Sequence, residues 1–320
     1  MHPQGQFDPA DMLAAQGRGG EAVQLLQRRG RQGDAGALYK LAEWYRAGQF
    51  IPRDLAAARD LYGKAGAAGI RPAMAAHIAL MSLGVGGARD WQGALRLLRT
   101  LARQDPDAAR QMRVIQAMEL TEDGDPVRIP ERQVLSEAPL IWTIPGLFTL
   151  TECNYLIQAA TPLMARSQTI DQRTGQMFNN AIRTSDFAGF PWIGENPAIH
   201  ALNRRLAAAT GTKAEQGEPL QILRYRVGQQ YRPHFDAVPG WDNQRIVTAL
   251  VYLNEDYDGG ETRFLDAGTT VRGQRGDLLA FRNVDEKGEP DASTMHEGCP
   301  VMRGEKLLAS RWIRAQSLIV

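Results

Sequence analysis

The apolar residues of the first 120 positions recur with the helical period, leaving a polar face opposite each stripe. The pattern also repeats. The stretch "ALYKLAEWYRAGQFIPRDLAAARDLYGKAGAAG" (37–69) is echoed by "AMAAHIALMSLGVGGARDWQGALRLLRTLARQ" (73–104). A displacement of 36 residues sets Leu38 on Met74, Trp44 on Leu80, Gly48 on Gly84, Asp54 on Asp90 and Leu61 on Leu97. It also carries the first helix of the second copy onto 108–120. Each copy predicts two antiparallel helices broken near Gly48 or Gly84. One such pair cannot bury its apolar face alone, so neighbouring pairs should stack into a short solenoid.

A polar stretch rich in Pro, Gly and charge, "TEDGDPVRIPERQVLSEAP" (121–139), then interrupts the pattern. It predicts a linker at 121–138, between a repeat domain at 1–120 and a second domain at 139–320. Thr149 followed by Glu152 signals a capping box opening the helix "ECNYLIQAA". From Gln221 onward the period shortens to that of strands: "LQILRYRV", "QRIVTALVYLN", "TRFLDA", "GDLLAFRN" and "EKLLASRWI", with "YDGGE" (257–261) as a turn between two of them. Helices followed by many short strands predict an α+β chain. Its parts are an α-helical repeat solenoid and a double-stranded β-helix, or jelly roll, with flanking helices.

Composition narrows the function classes. A net charge of +1 and a pI near 7.8 in 320 residues give no general attraction to nucleic acid. No apolar run approaches the roughly 20 residues that span a bilayer, and the N-terminal stretch lacks the flanks of a secretory signal. Two cysteines, Cys153 and Cys299, are too few for a disulfide framework. The expectation is a soluble cytoplasmic protein that binds neither nucleic acid nor membrane.

Candidate chemistry centres on "QILRYRVGQQYRPHFDAVPG" (221–240). On a strand His234 and Asp236 would face one side while Phe235 packs on the other. Two ligands do not hold a metal, and five histidines supply the third: His2, His77, His200, His234 and His296. His2 lies at the terminus, His77 within the repeats and His200 in an amphipathic helix. His296, before another strand-like run, remains. Two histidines and a carboxylate form a facial triad with positions left open on Fe(II). Ten residues beyond His296 stands Lys306, placed to meet a dicarboxylate co-substrate. Histidine ligation predicts metal affinity that falls below about pH 6.

The second half resembles the 2-oxoglutarate- and Fe(II)-dependent dioxygenases, and among them the prolyl 4-hydroxylases. The matching motifs are "IPGLFTLTECNYLI", "RTSDF" (183–187), "EPLQILRYRVGQQYRPHFD" (218–236), "QRIVTALVYLNEDYDGGETRF" (244–264), "GDLLAFRN" (276–283) and "HEGCPVMRGEKLLASRWIR" (296–314). Residues 20–120 are similar to Sel-like repeats of the tetratricopeptide class, which bind partner proteins; a purely stabilising helical cap is the alternative.

The resemblance implies that His234, Asp236 and His296 bind iron and that Lys306 binds the distal carboxylate of 2-oxoglutarate with help from Thr262. Tyr225 and Tyr252 would line that pocket or fill the core, and Arg245 and Trp312 would meet substrate or serve structure. The implied reaction uses Fe(II), 2-oxoglutarate and O2, with ascorbate as a companion, and hydroxylates an unactivated C–H, releasing succinate and CO2. The implied substrate is a prolyl residue in a peptide or protein. A free or carrier-bound amino acid, or a peptide natural product, is one alternative, and a non-enzymatic adaptor with a metal-binding jelly roll is another. Asp236, where halogenating relatives lack a carboxylate, favours hydroxylation. Segments 171–185 and 284–294 would cover the site or form solvated surface turns. Leu307, where prolyl hydroxylases often carry an aromatic, and the connection "AVPGWDNQ" (237–244) depart from the family near the expected substrate approach. Cys299 is expected to be a buried thiol.

Overall fold

The computed structural model describes residues 8–170, 177–179 and 182–318. It divides into two compact units, Met1–Ile115 with Ile193–His200, and Gln116–Trp192 with Ala201–Val320.

The N-terminal helices are α1 (Pro9–Ala15), α2 (Gly19–Arg31), α3 (Ala35–Ala47), α4 (Leu55–Ala67), α5 (Arg71–Leu83), α6 (Trp91–Leu101) and α7 (Pro106–Ala117). Repetition extends to individual hydrogen bonds. Asp54 and Asp90 cap α4 and α6 by accepting from the amides of Ala57 and Gly93. Gly48 and Gly84 close α3 and α5 in the left-handed region, at φ 69° and 76°. The amides of Asp54 and Asp90 donate to the carbonyls of Tyr45 and Met81, each at 3.0 Å. The period reaches back to α2, thirteen residues long like α4. Gly66 marks a close approach of α4 to α5, since a β-carbon there would lie 2.8 Å from Met74 Cα. No described helix is long and apolar enough to cross a membrane.

The second unit holds two large antiparallel sheets and, among the described residues, a two-stranded one of Gln168–Ile170 and Met177–Asn179. Its elements begin with β1 (Gln133–Glu137), β2 (Leu140–Ile144), α8 (Leu150–Ala160), β3 (Ala165–Arg166), β4 (Gln168–Ile170), β5 (Met177–Asn179) and β6 (Asp186–Phe190). After α9 (Pro197–Thr210) come β7 (Leu220–Arg226), β8 (Tyr231–His234), β9 (Arg245–Tyr252), β10 (Tyr257–Gly259) and β11 (Thr262–Phe264). The last are β12 (Thr270–Val271), β13 (Leu278–Arg282), β14 (His296–Gly298) and β15 (Val301–Arg314). The larger sheet runs β1-β2-β13-β9-β15-β7-β6-β3 with β10 on β15, and the smaller runs β12-β11-β14-β8. Leu223, Leu250, Tyr252, Leu279 and Leu308 of the first pack with Phe264 and Val271 of the second in one core. This is the expected jelly roll. β9 is buried over its last six residues, which is why "IVTALVYL" reads as an apolar run, broken only by Thr248, rather than as an alternation. The capping box forms, with Glu152 accepting from the Thr149 amide at 2.7 Å.

The expected turn "YDGGE" lies between two strands: Gly259 and Gly260, at φ 71° and 70°, carry the chain from β10 on the larger sheet to β11 on the smaller. Two expectations need correction. Residues 133–137 of the expected linker form β1, whose nearly all-exposed edge carries no alternating apolar signal. β8 ends at His234, so the His-x-Asp pair straddles a strand end, and Phe235 is exposed rather than packed.

Candidate active site

Pairing of β14 with β8 sets His296 directly opposite His234. Cross-strand neighbours of this kind share a face, and the two imidazole centroids stand 4.2 Å apart. Just past the strand end, Asp236 folds back between them. Its two carboxylate oxygens lie 3.7 Å from His234 Nε2 and 3.6 Å from His296 Nε2. One donor atom from each of the three residues falls within 4.8 Å of the others. The imidazoles are held by backbone: His234 Nδ1 meets the Arg232 carbonyl at 2.7 Å, and His296 Nδ1 meets that of Thr294 at 3.0 Å. A carbonyl only accepts, so each Nδ1 must carry the proton and each Nε2 presents a lone pair inward. The donor set therefore fits a divalent metal of the imidazole–carboxylate class.

Electrostatics agree with this protonation. Burial, and then the neighbouring His296, hold His234 well below the ordinary histidine range. Burial alone would raise Asp236, but His296 and His234 outweigh it and keep the carboxyl below its usual value. Tyr231 stacks on His234 with centroids 3.4 Å apart, and Phe281 meets His296 edge-on at 4.7 Å.

The triad opens into a cleft of roughly 500 Å³, measured to its mouth. Strand alternation builds the facing wall. Lys306, Leu308, Ser310 and Trp312 are every second residue of β15, and all four line the cleft with Leu223 and Tyr225 of β7. Lys306 is 3% exposed, and its ammonium donates to the Gly260 carbonyl at 2.6 Å. Burial draws it down from 10.5 to about 8, against the opposing pull of Cys299 and Glu261. Thr262 lines the same end, with Tyr252 behind it rather than in the cleft, hydroxyl to hydroxyl at 3.4 Å.

Trp312 forms part of the wall, but Arg245 stands one layer behind it. Its guanidinium lies 3.8 Å from the Trp312 ring centroid and donates to both oxygens of Glu218, at 2.6 and 2.9 Å. Glu218 also accepts from Arg314 at 2.6 Å, and Arg314 lies 4.2 Å from the ring of Trp241 in the 237–244 connection. Cys299 is a partly exposed cleft residue rather than a buried thiol, because it follows directly after the short strand β14.

Sequence reasoning assigned no role to Tyr231, Arg183, Leu308 or Ser310, all of which line the cleft. Alternation from Lys306 would have found two of them. Of the expected covers, 171–176 and 180–181 lie outside the described residues. The other, 284–294, is a tight loop: Val284 bridges Pro290, and the Asp285 carboxylate accepts from the amides of Lys287 and Glu289.

Residues 220–314 match the 2OG-Fe(II) oxygenase superfamily. The chain is 32% identical over 206 residues to probable prolyl 4-hydroxylase 10 of Arabidopsis thaliana, covering 57% of this chain and 71% of that protein. It is 32% identical over 226 residues to prolyl 4-hydroxylase 5 of the same plant, covering 62% and 77%. Among solved structures it is similar to the 2OG complex of the viral collagen prolyl hydroxylase from Paramecium bursaria Chlorella virus-1. That likeness is 28% identical, covers 55% of this chain and 96% of that one, and has a TM-score of 0.44. A Sel1 repeat protein from Oxalobacter formigenes is similar at 24% identity, covering 32% of this chain and 45% of that one, with a TM-score of 0.29.

Proposed function

As a member of the 2OG-Fe(II) oxygenase superfamily and a homologue of plant prolyl 4-hydroxylases, the chain is an oxidoreductase, and we propose that it hydroxylates a prolyl residue in a peptide or protein. The observation that carries this reading is the convergence of His234, Asp236 and His296 in one cleft with the buried ammonium of Lys306. In this reading the two Nε2 atoms and one Asp236 oxygen hold Fe(II). With 2-oxoglutarate and O2, the metal supplies oxidative decarboxylation to succinate and CO2 together with one oxygen atom for a substrate C–H bond.

The chain's own residues set the stage for that chemistry. Lys306 and Thr262 receive the distal carboxylate of 2-oxoglutarate, and burial makes that contact stronger than it would be in water. Leu223, Leu250 and Leu308 give the cleft dry walls between the lysine and the triad. Trp312, braced by Arg245, offers a flat surface to the substrate, and the helical repeats recruit the protein that carries it. Ascorbate would maintain the ferrous state between turnovers.

Anaerobic reconstitution with Fe(II) and 2-oxoglutarate, then admission of O2 with a library of proline-containing peptides, tests the proposal. Succinate should form and one peptide class should gain a single oxygen. His234→Ala should abolish both. Succinate formation from a free or carrier-bound amino acid, with no peptide gaining mass, would overturn the substrate assignment and leave the reaction class standing.

A further inference from the structure

Beyond the three ligands, a buried chain of polar side chains ends on Asp236. Asn283 Nδ2 lies 2.9 Å from Thr248 Oγ1, and Thr248 Oγ1 lies 2.6 Å from Asp236 Oδ2. All three side chains are buried, Asn283 and Thr248 at 0% and 1% exposed. Thr248 interrupts the apolar run of β9, on the same face as Leu250 and Tyr252. A hydroxyl dropped into such a run costs free energy unless it is hydrogen-bonded.

The direction of each bond is fixed by chemistry. An ionised carboxylate only accepts, so the Thr248 proton must point to Asp236 Oδ2. Having no second proton, Thr248 can only accept from Asn283, which puts the amide nitrogen and not its oxygen on that side. Asn283 is itself pinned, its backbone amide donating to the Ile246 carbonyl at 2.9 Å and its carbonyl accepting from Asp291 at 3.0 Å. The loop that begins there leads to His296. Asp236 Oδ2 therefore accepts from Thr248 while lying 3.6 Å from His296 Nε2, and Oδ1 lies 3.7 Å from His234 Nε2.

We propose that Thr248 and Asn283 are positioning residues. Their one-way relay fixes the orientation of the Asp236 carboxylate toward the two Nε2 atoms, and it ties that carboxylate to the segment delivering His296. This inference rests on the metal-site reading above.

Titration of the full chain with Co(II) alone, followed by calorimetry and the visible absorption of the bound ion, provides the test. Removing an outer-shell partner typically lowers metal affinity by about 10–100-fold, and Thr248→Val should do so. Thr248→Ser restores the donor and should stay within about threefold of the parent. The thermal midpoint of the metal-free Ser variant should match the parent, and Asn283→Ala combined with Thr248→Val should cost no more than Thr248→Val alone. Parental Co(II) affinity in Thr248→Val, equal loss in the Ser variant, or additive losses in the double variant would overturn the relay. If Thr248→Val does not fold, Asn283→Ala decides: parental affinity there sinks the proposal and a loss supports it. Absence of Co(II) binding by the parent would refute the metal site itself, a distinct failure.

Discussion

Replacing Lys306 by Met should separate stability from co-substrate binding, moving them in opposite directions. The ammonium is buried, makes one neutral hydrogen bond to Gly260 O, and is drawn by burial from 10.5 to about 8. A fall of that size opposes folding of the ligand-free protein by about 3 kcal/mol at pH 7. The hydrogen bond offsets about 1 kcal/mol of this. Met fills similar space without charge, so Lys306→Met should stabilise the ligand-free second unit by roughly 2 kcal/mol in urea unfolding at pH 7. The pH dependence fixes the sign. The folded lysine sheds its proton before the unfolded one, so the cost is fully present below pH 8 and lifts between 8 and 10.5. Parent stability should climb through that window and the advantage of the variant should shrink with it. The same substitution removes the charge-assisted contact to 2-oxoglutarate, worth about 1.5–3 kcal/mol. KM for 2-oxoglutarate should therefore rise roughly ten- to hundredfold. In the parent that KM should itself rise about tenfold per pH unit above 8, because a neutral lysine must first take up a proton. A variant that is less stable at pH 7 while keeping its KM would refute the reasoning. Equal losses of iron and 2-oxoglutarate affinity would mean general unfolding instead.

Other perturbations probe separate parts. Since His234 is held below the ordinary 6.5, it remains neutral where a solvated histidine would already be charged, so metal affinity should persist below the pH 6 expected from ordinary histidines. Folding stability should still decline as pH falls below 6.5, because the unfolded chain takes up that proton first; flat stability from pH 7 to 5 would contradict the shift. Arg245→Lys loses the two-pronged contact to Glu218 and the stacking on Trp312, and should cost about 2 kcal/mol and raise the peptide KM with that for 2-oxoglutarate unchanged. An unaltered peptide KM would confine Arg245 to structure. Gly66→Val drives a side chain into the backbone of α5 and should lower the melting of the repeats by about 2–3 kcal/mol, read by circular dichroism, while succinate formation survives.

Legibility in the sequence followed the strength of the periodic signals. The 36-residue displacement exposed the repeats because capping Asp and closing Gly recur at fixed places in the two full copies, each with a local chemical reason. The jelly-roll strands were readable because their inner faces are apolar, and β1 was hidden because its contribution is backbone pairing alone. The metal-site residues could be gathered because the chain has only five histidines, of which two fall in helices and one at the terminus. Thr248 stayed hidden: a threonine within an apolar strand reads as a tolerated β-former, and only the arrival of Asp236 from a strand end shows what its hydroxyl meets.

Alternation also settles a point on which the sequence seemed to count against a prolyl substrate. Leu307 departs from the aromatic common among prolyl hydroxylases and was expected near the substrate approach. Lys306, Leu308, Ser310 and Trp312 all face the cleft, so Leu307 projects from the opposite side of β15, with its amide bonded to the Asn254 side chain at 2.7 Å. What stands at 307 can alter how the sheet is covered from outside, but it does not reach the chamber that holds the triad. The other departure, the 237–244 connection, stands closer to the cleft wall: Trp241 is exposed and flanked by the guanidinium groups of Arg245 and Arg314 at 5.5 and 4.2 Å. Because both guanidinium groups are held by Glu218 and one of them braces Trp312, Trp241→Ala should raise the peptide KM, whereas Leu307→Phe should leave it unchanged; the reverse order would refute this path to the cleft wall.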